Sequence, residues 1–161
     1  LSDIRSETAE GNWVSARQYD PILLDPPRDL TTAELDRVVE QMIKARAVTG
    51  VAIDATPMWA VPDRILIAKI WSAAQKSQFI WTISGPAVVT DHVAGSVAVN
   101  PKDVANHFAL KWQADAERIR RQAENAALTD SARSEMKNLA DKLVRDAEAL
   151  FDMTRQDDIW S

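Results

Sequence analysis

The 161-residue chain has no cysteine, which excludes disulfides, thiolate nucleophiles and Cys-ligated zinc. It has only four glycines, so neither a G-x-G-x-x-G stretch nor a P-loop is present, and phosphate binding through a glycine-rich cradle is excluded. No apolar run approaches the ~20 residues that a membrane span needs. The longest, around 65–74 and 87–99, are broken by Lys69, Asp91 and His92. The two histidines, His92 and His107, form no HExxH and no pair at four-residue spacing, and there is no EF-hand loop. Neither a metal nor a cofactor is therefore expected. Ser84-Gly85-Pro86 and Gly95-Ser96 both lack the G-x-S-x-G elbow that exposes a nucleophilic serine.

Excess positive charge is missing too. The net charge of −5 argues against nucleic acid and anionic membranes as partners, because phosphate contacts need clustered Lys and Arg. Arg118, Arg120 and Arg121 are the one basic cluster. Asp115, Glu117 and Glu124 surround it, so it reads as a salt-bridged helix surface.

What is present is ordinary globular composition, 46% hydrophobic and 27% charged, of a length that suits one domain with a sizeable core. A soluble protein is expected, cytoplasmic or periplasmic, with Leu1 in place of Met reading as a processed or trimmed start. Residues 51–100 carry six formal charges: Asp54, Asp63, Arg64, Lys69, Lys76 and Asp91. A charge-poor centre between charge-rich flanks reads as a core wrapped by amphipathic helices.

Along the chain, residues 1–30 read as an irregular arm containing a short strand at Ile22–Leu24. Residues 31–155 read as a single α/β domain to which 101–155 is appended as a helical hairpin, and 156–161 read as a tail. Thr31–Thr49 has helical spacing at Leu35, Val38, Val39 and Met42, with a Thr31/Glu34 capping box and Gly50 as its stop. Val51–Ala55 reads as a strand, and Arg64–Ser77 as a helix apolar nearly all round. Phe79–Ile83 reads as a buried strand, and Gly85–Val99 as a hairpin or two short strands, with a short helix starting at Thr90 as the alternative. Strand, helix and strand in that order predict a parallel βαβ unit.

In the C-terminal third, Asn100-Pro101-Lys102-Asp103 has the residue types of a helix start. One apolar face follows through Ala105, Phe108, Trp112, Ala116, Ile119, Ala123 and Ala126. A second stripe runs Ala132, Met136, Leu139, Leu143, Ala147 and Leu150. The phase breaks at Thr129-Asp130-Ser131, which favours an antiparallel hairpin over one helix of about 50 residues. The expected fold is thus helix-rich α/β, a small sheet with a βαβ unit and a long C-terminal helical hairpin.

Two functions are compatible with this pattern. The first is a non-catalytic protein–protein interaction or assembly module, self-associating through its long amphipathic helices. Its candidate contact residues are Met58, Trp59, Trp13 and Trp112, since aromatic anchors dominate many interfaces. The alternative is a small enzyme or ligand-binding domain at the carboxyl edge of the sheet. There Asp54, Ser84, Asp91 and His92 offer two carboxylates, a hydroxyl and an imidazole for acid–base work. Of the six tryptophans, Trp71, Trp81 and Trp112 lie in apolar periodic segments and read as core.

Overall fold

A computed structural model describes residues 28–50, 52–61 and 64–160, with side chains from residue 33 onward. The expected arm up to residue 27, with Ile22–Leu24 and Trp13, lies outside the described residues. The fold is helix-rich α/β. It divides into two compact units, residues 1–101 and 102–161, described in turn.

The first unit holds helix α1 (Arg28–Lys44) and strands β1 (Ile53–Val61), β2 (Ile65–Ser72), β3 (Ile80–Ser84) and β4 (Asp91–Ala94). The strands form one antiparallel sheet in sequence order. The expected parallel βαβ unit does not form, because Arg64–Ser77 is a strand and a short 3-10 turn (Ala73–Gln75) rather than a helix. Its residues explain the outcome. Ile65, Ile67 and Ile70 are β-branched, and the strand is apolar on both sides because both of its faces are buried. Periodicity alone does not separate such a strand from a covered helix. The tight turn in which Arg64 N–H donates to Val61 O at 3.0 Å then forces an antiparallel hairpin.

β1 is also longer than expected and includes Pro57. A proline is tolerated there because β1 is an edge strand. The register slips between Pro57 and Trp59, leaving Met58 as an extra residue. Before this bulge Ile53 and Ala55 face α1; after it Ala60 does. The slip therefore turns Trp59 to the opposite face, beside Ile67.

Leu35, Val38, Val39 and Met42 of α1 pack on Ile53, Ala55, Leu66, Ala68 and Ile70. At roughly 1.5–3 kcal/mol for each fully buried aliphatic side chain, this contact dominates the weak intrinsic preference of a 17-residue helix. α1 starts three residues before Thr31, so the expected capping box does not open it. It also ends before Thr49. Arg46 adopts φ 57°, Ala47 N–H donates to Met42 O (3.0 Å) and Arg46 N–H to Ile43 O (3.1 Å). These two bonds form a Schellman stop, made by Arg46 instead of the expected Gly50.

The second unit is an antiparallel pair, α2 (Pro101–Gln122) and α3 (Asp130–Thr154). Pro101 occupies the first helical position of α2, and the Thr129 hydroxyl caps α3 by accepting from Ala132 N–H at 3.1 Å. Arg133 secures the turn by donating to the carbonyls of Ala123 (2.9 Å) and Asn125 (3.1 Å). Arg120 reaches Asp141 across the pair at 2.8 Å. The basic cluster is ion-paired as the sequence suggests, Arg118 with Asp115 and Arg121 with Glu117. At the base of the hairpin the last residues form a 3-10 turn, where Trp160 Nε1 donates to Met153 O at 2.9 Å. Lys102 binds Asp157 at 2.7 Å, and this hydrogen bond and charge lower the Asp157 carboxyl from its ordinary range.

Candidate functional site

The antiparallel register decides where the expected acid–base residues fall. Asp54 is buried at the start of β1, on the face away from α1 and opposite Trp71. Ser84 is buried at the end of β3, on the α1 face and opposite Leu66. In a meander the start of β1 and the end of β3 lie at opposite ends of the sheet, so these two residues share neither face nor end. Parallel strands would have placed both at one carboxyl edge, and that edge does not exist here. Asp91 stands opposite Ile83 on the face away from α1, and its Oδ1 accepts from the neighbouring His92 N–H at 2.8 Å. His92 pairs with Thr82 on the α1 face, half-buried. Ser84 and His92 share the α1 face, and Asp54 and Asp91 share the other face but lie at opposite ends of the sheet.

Around Ser84 lies a polar clasp between α1 and the sheet. Arg37 grips Glu34 through two parallel bonds, 3.0 and 2.6 Å, and donates also to Gln41 Oε1 (2.9 Å) and Thr90 Oγ1 (3.1 Å). Ser84 turns its buried hydroxyl toward Glu34, a contact that falls short of full hydrogen-bond geometry yet favours the carboxylate. Burial pushes the Glu34 carboxyl up, but Arg37 and Ser84 together outweigh it and hold the group below its ordinary value. Glu34 correspondingly raises the Arg37 guanidinium. The clasp fastens the β3–β4 connection to the helix.

On the other face, Lys69 lies 4.5 Å from the centre of the Phe79 ring and 4.9 Å from that of Trp81, and the two rings meet edge-on at 5.7 Å. Burial lowers the Lys69 ammonium from its ordinary value. Trp81 is fully buried and its Nε1 donates to the carbonyls of Gly95 and Ala98, both at 3.2 Å. The aromatic residues thus accommodate a cation that the strand itself supplies.

Of the candidate contact residues, Met58 and Trp59 are half-buried at the β1 bulge. Trp112 is fully buried and stacks on Phe108 at 5.9 Å, which makes it a packing residue of its unit. Among the described residues the exposed large apolar side chains are Val97, Val99, Leu110 and Leu139, and of these Leu139 lies on the α3 stripe. Along the α3 stripe Leu150 and Ala147 are fully buried and Leu143 is 7% exposed, but Leu139 is 47% exposed. Met136 and Ala132 nearer the turn are half-buried. The stripe is buried from Leu143 onward, exposed at Leu139, and half-buried at Met136 and Ala132 toward the turn. The spacing of the stripe was evident in the sequence, whereas this gradient of cover is a property of the packed chain.

Among the described residues no group of three or more His, Asp or Glu side chains could hold a metal ion, and no helix is long and apolar enough to cross a membrane. No curated protein and no solved structure matches the chain. A family model described as a domain of unknown function, DUF4826, matches residues 35–160, from the α1 core face through the closing turn after α3. The chain belongs to the DUF4826 family.

Proposed function

We propose that the protein is a non-catalytic interaction or assembly module whose contact surface is the turn-proximal half of the α3 stripe. The observation that carries this reading is the 47% exposure of Leu139 in a stripe whose other end is fully buried. A leucine standing singly on a surface needs no explanation. Leu139 instead continues a row, Ala132, Met136, Leu139 and Leu143, at spacings of four, three and four. That is the pattern of a seam that another helix fills. The charges beside it favour recognition without nucleic acid, since Lys111, Arg118, Arg120, Arg121 and Lys142 of the hairpin are engaged by its own acids.

The absence of cysteine gives a direct test. Leu139→Cys provides the single thiol of the chain, whose labelling rate reports cover at the stripe. In dilute purified protein the thiol should label at close to the rate of a free thiol. In intact cells of the organism that makes the chain, labelling should slow at least about tenfold as a partner helix covers the seam. Equal rates in both settings would refute the proposal.

A further inference from the structure

We infer that the occupant of the open stripe is a second copy of this chain, its α3 lying antiparallel to the first about a twofold axis between Asn138 and Leu139. The inference rests on the interaction reading of that stripe. Charge complementarity carries it. Beside the seam residues Met136, Leu139 and Leu143 run Glu135 and Lys142, seven residues apart and so on one flank of the helix. Glu135 is exposed, and the Lys142 side chain is 45% exposed. The opposite flank is already occupied within the hairpin: Ala140 is fully buried, and Arg133 binds the Ala123 and Asn125 carbonyls. Only the Glu135/Lys142 flank is left for an incoming helix.

In an antiparallel helix pair like flanks meet. An axis between residues 138 and 139 sets Glu135 against the partner's Lys142 and Lys142 against the partner's Glu135. One register therefore satisfies both charges twice, in a closed and self-complementary contact. A parallel pair would instead bring Glu135 toward the partner's Ala140, which has no charge and is buried in its own hairpin. Lys142 already donates to Asp146 at 2.7 Å, and an ammonium with three donors serves both acids. The seam from 132 to 143 is about 18 Å long at ~1.5 Å per residue. A contact of that size makes a weak, reversible dimer.

Sedimentation equilibrium of the full chain over a wide concentration range tests the assignment. The wild type should pass from monomer to dimer as concentration rises. Glu135→Lys and Lys142→Glu should each weaken the dimer about tenfold or more, since two attractive contacts become repulsive. The double swap Glu135→Lys/Lys142→Glu should restore it, and circular dichroism checks that each variant keeps its fold. A wild type that is monomeric throughout, or a double swap that fails to recover the dimer, overturns the inference. A monomeric chain whose Leu139→Cys thiol is still protected in cells assigns the seam to a different protein and leaves the interaction reading standing. Loss of both signals ends both.

Discussion

Replacing Gly85 by alanine tests the account of the sheet at its tightest point. Gly85 follows β3 with φ 123°, a backbone region that residues with a side chain rarely adopt. Holding alanine there costs about 1–3 kcal/mol. The added Cβ would also lie 2.2 Å from the carbonyl oxygen of Arg64 and 2.8 Å from its carbonyl carbon. That obstacle is backbone, so the 85–90 connection or the β1–β2 turn has to move. The same Arg64 oxygen accepts from Ala87 N–H at 3.1 Å, and a shift that relieves the clash stretches this bond. Its loss adds about 0.5–1.5 kcal/mol. Together these give a loss of about 3 kcal/mol, a large share of the ~5–15 kcal/mol by which domains are stable.

Gly50 is the control. Its φ is 143°, but its Cβ would meet the Ser72 hydroxyl at 2.4 Å, the end of a side chain that can rotate away. Gly50→Ala should therefore incur the backbone strain with little clash. Urea unfolding of both variants at matched m-values reads the difference, with Gly85→Ala having the lower midpoint. A Gly85→Ala loss below about 1 kcal/mol, or one no larger than that of Gly50→Ala, would refute the reasoning.

Two further outcomes follow from α1. Arg46→Gly should stabilise the chain by about 0.5–1 kcal/mol in thermal or urea unfolding, because glycine takes the left-handed stop position without the strain of a β-carbon. The Glu34 clasp should confer a pH dependence. A carboxyl whose folded value is lowered contributes stability in full above its ordinary unfolded value, and the contribution fades as pH falls through the lower folded value. Wild type should accordingly exceed Glu34→Gln in melting temperature at neutral pH, with the gap closing as the pH drops below about 4.

The helical hairpin and the strand at Phe79–Ile83 were readable from residue types, and the topology of the sheet was not. Pro101, the Thr129 cap and the apolar rows in α2 and α3 each follow from local chemistry, and local chemistry is visible in a sequence. β2 escaped because Leu66, Ala68 and Ile70 face α1 while Ile65, Ile67 and Trp71 are buried on the other side, leaving no period to detect. The side to which Trp59 points depends on one slipped residue in a pairing whose partner strand lies further along the chain. The candidate site followed the sheet: with β2 read as a helix, Asp54 and Ser84 would share an edge. Leu139 belonged to a legible stripe, but its cover depends on where that stripe runs beyond its neighbours.

The bulge at Met58 also bears on how copies of the chain can associate. A nine-residue outer strand presents a row of backbone donors and acceptors that another chain can extend. Each added strand would leave a fresh edge, so growth by that route has no natural end. Pro57 interrupts the row of donors, and the slipped residue beside it bends the strand out of line. The α3 pairing proposed above would instead consume its own surface once two copies have met. The irregularity that turns Trp59 over thus discourages unlimited growth at the sheet edge.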